Sequence, residues 1–154
     1  MRSASYGMLS TYPPTQCGLA TFTAALGTHL AGAGTGPVGV VRLVEHAECT
    51  SPPEVVHDFV KGSPASRKAA VARLNGYDTV IIQHEYGIYG GPDGDEVVAV
   101  LNALTVPVIV VLHTVLVNPT EHQRVVLEAV VDAADAVVTM TRTAYRRLRA
   151  YRVD

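Results

Sequence analysis

A doubly wound, Rossmann-like parallel α/β sheet of about six strands, with helices on both faces and right-handed crossovers, is the fold this sequence predicts. Three observations carry that expectation. Segments rich in Val and Ile recur along the chain and are apolar on both sides instead of alternating, as strands covered on both faces must be. Between most of them lie apolar residues at helical spacing. Of the 154 residues, 48% are hydrophobic and 17% charged, a balance that fits a single domain, 1–154, burying roughly 68–70% of the surface its unfolded chain exposes.

The elements follow in order. Met8-Leu9-Ser10-Thr11 is a weak first strand, supported by the helix pattern of Leu19, Phe22, Leu26 and Leu30 behind it. Val38 to Val44 and Val55 to Val60 are the next strands, joined by a loop through Pro52-Pro53. Ser63-Pro64 opens a helix over Ala65 to Asn75, and Gly76 closes it. Thr79 to Gln83 is a strand, Val97, Val100, Leu101 and Leu104 a helix pattern, and Val106 to Leu112 a further strand. Asn118-Pro119-Thr120-Glu121 supplies a cap, a proline at the first helical position and a glutamate to complete a capping box. Val126, Val130 and Ala133 continue that helix, Ala136 to Met140 is the last strand, and one more helix begins before the chain ends, which reads as an interruption of the pattern.

Composition also excludes. Twelve basic against fourteen acidic residues, a net charge of -2, gives no electrostatic case for nucleic acid. The basic stripe from Arg142 to Arg152 reads as a solvated helix face in preference to a patch for anionic lipid. Two cysteines, Cys17 and Cys49, make neither a disulfide framework nor a structural zinc site, and the six histidines show no zinc spacing. No metal or other cofactor is expected, and a reducing, cytoplasmic setting is. The start lacks a signal-like apolar run and Val106 to Val117 is too short to span a bilayer, so any membrane contact would be peripheral, at the inner face. Gly34-Thr35-Gly36-Pro37-Val38-Gly39 matches a dinucleotide fingerprint literally, but it runs from helix to strand, the reverse of the required order.

In an open parallel sheet ligands bind beyond the carboxyl ends of the strands. Four polar loops fall there. Thr11 to Gly18 holds two prolines and then Gly18, where free helix amides favour a diphosphate; alternatively Thr15 or Gln16 caps the helix and Gly18 fits a turn. Gln83-His84-Glu85-Tyr86-Gly87-Ile88-Tyr89-Gly90-Gly91 suits sugar hydroxyls or ring stacking, with one of His84 and Glu85 expected to touch ligand while Tyr86 and Tyr89 are free to be packing residues. His113-Thr114 ends an apolar strand at the binding edge, where His113 is either a satisfied core residue or a functional one. Thr139-Met140-Thr141 is the fourth loop.

On Ser10 to Phe22, Gln83 to Gly91 and Leu112-His113-Thr114, the sequence resembles the amino-terminal domain of the GT-B glycosyltransferases, in particular the retaining family-4 group with its many bacterial members. The resemblance covers nearly the whole chain. It implies an enzyme that moves a sugar from a nucleotide-diphosphate sugar to a hydroxyl of a carbohydrate or glycolipid acceptor, with retention. His113 would line the catalytic cleft; Cys17, Gly18 and Leu19 would form the loop near the donor phosphates and sugar. His84, Glu85, Tyr86, Gly87 and Thr114 would lie on the acceptor side, with Thr141 at the closing edge. The family's donor-binding carboxyl-terminal domain has no counterpart in these residues, so the chain is expected not to transfer sugar alone, the donor domain being supplied in cis or in trans. The alternative is a stand-alone, non-catalytic ligand-binding or regulatory module that kept the fold.

Overall fold

The computed structural model describes residues 3–151. Six strands, β1 (Tyr6–Ser10), β2 (Val38–Val44), β3 (Val55–Val60), β4 (Thr79–His84), β5 (Val108–Leu112) and β6 (Ala136–Thr139), form one sheet in the order β3-β2-β1-β4-β5-β6. Every pair is parallel. Helices α1 (Gly18–Gly32), α2 (Pro64–Leu74), α3 (Glu96–Leu101), α4 (Glu121–Asp132) and α5 (Arg142–Ala150) complete the expected doubly wound architecture. The winding reverses between β1 and β4, which opens a crevice above their carboxyl ends.

β1 starts two residues earlier than its hydrophobicity suggests. Gly7 interrupts the pattern, yet it pairs with Gly39 on one side and Val80 on the other. The Tyr77 side chain lies across both glycines: a Cβ at Gly7 would come within 2.7 Å of it, and one at Gly39 within 1.9 Å. The glycines are there to receive that ring.

Helix ends are fixed by side chains satisfying the free amides of the first turn. Ser63 caps α2 by accepting from Ser66 N, as read. α4 is capped by Thr120, not Asn118: its hydroxyl accepts from Gln123 N at 3.1 Å while the Gln123 side chain accepts from Thr120 N at 2.9 Å. Both Asn-x-x-Glu and Thr-x-x-Gln fit a capping box at this point, and the reciprocal pair of the second is the one formed. α3 stops at Leu101, short of Leu104, because Ala103 N and Leu104 N turn back to the carbonyls three residues earlier and tighten the chain into β5.

The two faces of the sheet are covered unequally. On one, Leu9, Val41, Leu43, Phe59, Val80, Ile82, Val108, Val110 and Leu112 merge with Ala70 and Leu74 of α2, Val97 and Val100 of α3, Val126, Leu127 and Val130 of α4 and Leu148 of α5 into one apolar core. On the other, Met8, Val40, Ile81 and Val111 meet α1 and little else. The reason lies in the β2-to-β3 crossover, residues 45–54, which contains no helix. A hollow of about 610 Å³ remains beside α1, lined by Met8, Tyr12, Val38, Val40 and Glu54 among others.

That helixless crossover is anchored by charge. Arg42, on β2, is fully buried, and its guanidinium donates to both oxygens of Asp58 on β3 at 2.8 and 2.9 Å. Two residues of the crossover reach the same group: Ser51 accepts at 3.0 Å, and Glu48 lies at 3.1 Å. The paired carboxylate holds Arg42 above its ordinary pKa; Asp58, although burial opposes it, stays below the usual range through its bonds to Arg42.

Candidate functional site

Three loops meet at the carboxyl edge above the reversal point. The first leaves β1 through Thr11, continues over a cis Pro13–Pro14 bond and enters α1 at Gly18. Cys17, not Thr15 or Gln16, is the cap, its sulfur accepting from Ala20 N at 3.4 Å and lying 3.1 Å from Thr11 Oγ1. Among the described residues no acceptor faces the amides of Gly18 and Leu19. Gly18 is exposed, and a Cβ there would meet no atom within 4 Å. Open amides at the start of a fifteen-residue helix carry partial positive charge into the crevice.

The second loop follows β4. Here strand alternation separates neighbours that the sequence lists side by side. Gln83 lies on the α1 face and is fully buried; His84 lies on the opposite face, 1% exposed, edge-on to Tyr86 with ring centroids 5.1 Å apart. Neither ring nitrogen of His84 has a hydrogen-bond partner among the described residues. Burial, with a smaller contribution from His113, pushes its pKa down to about 4, so it is neutral at pH 7. Glu85 is half-buried and stays at the edge. Its Oε1 accepts from Tyr86 N at 3.0 Å, and its Oε2 accepts from the Thr114 hydroxyl, tying the loop after β4 to the loop after β5. Both tyrosines pack inward. Tyr86 is buried with its hydroxyl 3.4 Å from Gln123 O, and Tyr89 donates to Gln83 O at 2.6 Å. Gly87 is exposed.

The third loop begins with His113. Its backbone amide extends the sheet by donating to His84 O at 3.1 Å, which keeps the side chain in register on the α1 face. The ring is half-buried, with Nε2 2.7 Å from Gln83 Oε1 and its plane edge-on to Phe22 of α1, centroids 4.9 Å apart at 88°. Burial lowers its pKa while the Glu85 carboxylate opposes the shift. Thr141 lies farther along the edge, exposed, and caps α5 by accepting from Ala144 N at 3.0 Å.

The candidates therefore divide. Gly18, Leu19, Glu85, Thr114 and His113 converge around the reversal point. Cys17 and Thr141 spend their side chains on caps, and His84 and Tyr86 lie beneath the edge. Gln83 and Phe22, which no motif in the sequence marks as site residues, hold His113 directly. Gln83 was readable in principle: by strand parity it shares a face with Ile81, and it pairs with Val111, two residues before His113.

Among the described residues no group of three His, Cys, Asp or Glu side chains is placed to hold a metal ion, and no helix is long and apolar enough to cross a membrane. On the basic stripe, Arg142, Arg146 and Arg149 are exposed and Arg147 donates to Val115 O at 3.2 Å; Arg152 lies outside the described residues.

No family model and no curated protein matches the sequence. Solved structures do match the fold. One is an alpha-glucosyltransferase described in complex with UDP and a 13-mer DNA containing a HMU base, with a TM-score of 0.58 and 16% sequence identity over 89% of this chain. The match spans 38% of that protein's length. At this identity the likeness is one of fold: the chain shares its parallel α/β architecture with part of that protein.

Proposed function

We propose that the chain is the acceptor-side half of a glycosyltransferase, a retaining, family-4-like member of the GT-B group, and that it works with a carboxyl-terminal donor domain supplied in cis or in trans. The observation that carries this reading is the convergence of His113, the Glu85–Thr114 pair and the open amides of Gly18 and Leu19 on one crevice at the winding reversal. The fold shared with an alpha-glucosyltransferase supports it.

Each group has a role that its chemistry allows. The amides of Gly18 and Leu19 face the diphosphate or reacting sugar of a nucleotide-diphosphate sugar. His113, kept neutral by burial, hydrogen-bonds sugar hydroxyls without adding charge. Glu85 and Thr114 present polar atoms to a carbohydrate or glycolipid acceptor. Transfer with retention at the front face requires positioning and stabilisation of the departing phosphate more than a protein nucleophile. An exposed helix start and a neutral, fixed imidazole meet that requirement.

Calorimetric titration with UDP- and GDP-sugars, on the chain alone and then with the donor domain, tests the assignment. Binding and transfer are expected only in the combined protein, with His113→Ala lowering turnover more than donor affinity. Tight donor binding by this chain alone would reverse the assignment of the halves. Absence of transfer by the combined protein would leave a non-catalytic binding module.

A further inference from the structure

We propose that Gln83 is the positioning residue of His113, fixing the imidazole as its Nε2–H tautomer and turning Nδ1, as a hydrogen-bond acceptor, toward the crevice. The two side chains share one face of the sheet. Gln83 pairs with Val111 on β5, and His113 follows two residues later on the same side. Gln83 is fully buried, and the amide presents Oε1 to Nε2 at 2.7 Å. A neutral imidazole holds one proton, and the partner of one nitrogen decides where it sits. With Oε1 accepting, the proton is on Nε2 and the lone pair is on Nδ1. The residue is half-buried just past the carboxyl end of β5, and in the proposed arrangement the ring turns Nδ1 to the crevice side.

The pair is held from outside as well. Phe22, edge-on to the ring, restrains its rotation from the α1 side. Tyr89 donates to the backbone carbonyl of Gln83 at 2.6 Å and fixes the strand end from below. The amide nitrogen of Gln83 is buried without a partner among the described residues. Such an orphan is destabilising, and in a position that parity makes equivalent to Ile81 an apolar side chain would avoid it. The polar residue is explained by what its other end holds.

What the tautomer serves rests on the reading of the site as sugar-binding. An acceptor at Nδ1 selects a ligand group that donates, as a sugar hydroxyl does, and rejects a bare phosphate oxygen. The tautomer itself does not depend on that reading, and it is measured without substrate.

Long-range ¹H–¹⁵N correlation spectra of the labelled chain at pH 7, with the His113 signals assigned by their loss in His113→Ala, report the ring state directly. The expected result is a single Nε2–H tautomer in the native chain and a mixture of both in Gln83→Leu. In Gln83→Glu a carboxylate at the same place is expected to raise the His113 pKa by about one to three pH units. An Nδ1–H tautomer in the native chain overturns the proposal. So does an unchanged His113 pKa in Gln83→Glu, or an unchanged tautomer in a folded Gln83→Leu. If Gln83→Leu does not fold, the native spectrum and Gln83→Glu decide. Failure of sugar binding with the tautomer confirmed would count against the proposed function and leave the role of Gln83 standing.

Discussion

On the face covered by α2, α3 and α4, the inward positions of the inner strands are apolar up to their carboxyl ends, where His84 is the exception on β4. On the face covered by α1, the same level of the sheet carries a row of polar side chains. Asp58 pairs with Arg42, Arg42 with Ser10, and Ser10 lies one step beyond the Leu9–Ile82 pair, level with Gln83. Each has a partner: Arg42 and Asp58 have each other, Ser10 accepts from Thr23 of α1 at 2.8 Å, and Gln83 has His113. One face thus supplies stability by excluding water from helices and strands, and the other holds polar groups in defined directions beneath the crevice. The lesson is that a doubly wound sheet can separate these tasks by strand parity alone.

The sharpest way to break this division is to damage the apolar face. Phe59 is fully buried there, and Phe59→Ala is expected to cost about 3–5 kcal/mol in urea unfolding. A cost under about 1 kcal/mol would mean that this face is not where the stability lies. On the polar face the expectation has a different form. Arg42→Met alone strands Asp58, whose side chain is 13% exposed, and should cost about 3 kcal/mol. Adding Asp58→Leu should recover most of it, because two apolar side chains remove the unpaired charge together with its partner. Strict additivity of the two losses would show that the cluster is not acting as an ion pair.

His84 offers a test within the apolar face, through pH. Its folded pKa, about 4, lies below the ordinary 6.5, so the unfolded chain binds a proton that the folded chain refuses. The contribution of His84 is therefore constant above pH 6.5 and lowers stability as pH drops from 6.5 to 4, by on the order of 3 kcal/mol. His84→Phe should remove that part of the pH dependence and leave the losses due to His113, whose pKa burial also lowers, and to Asp58, whose depressed pKa acts at lower pH. Parallel stability curves for the two proteins between pH 6.5 and 4 would contradict the burial of a neutral His84.

Much of the fold was legible because buried parallel strands are written as Val and Ile runs, and helix starts as capping residues. β2 and β3 were read to the residue. The start of β1 is hidden in the sequence, because Gly7 has the character of a strand breaker and only the Tyr77 ring lying across it accounts for it. The α4 cap is ambiguous in sequence, because the Asn118 and Thr120 boxes overlap and only the backbone geometry at Thr120 selects one. The site was legible as a set of loops and not as a set of contacts. His84 and Glu85 are adjacent in sequence, yet which one reaches the crevice depends on strand phase. Gln83 carries no local signal, because its partner is thirty residues away and its meaning comes from register.

The smallest expected effect on stability belongs to the residue at the open end of α1. Gly18 is exposed, has room for a Cβ and shows no positive φ, so Gly18→Val should change the unfolding free energy by no more than about 0.5 kcal/mol. Its two extra methyl groups would nevertheless project from the helix start where the amides of Gly18 and Leu19 are open. If the polar face carries ligand recognition, nucleotide-sugar affinity measured in the combined two-domain protein should fall at least tenfold, a loss of about 1.4 kcal/mol. The contrast is the point of the experiment, since Phe59→Ala should do the reverse, costing stability while leaving the affinity of the folded fraction intact. Unchanged affinity in Gly18→Val would remove the start of α1 from the site and confine recognition to His113, Glu85 and Thr114.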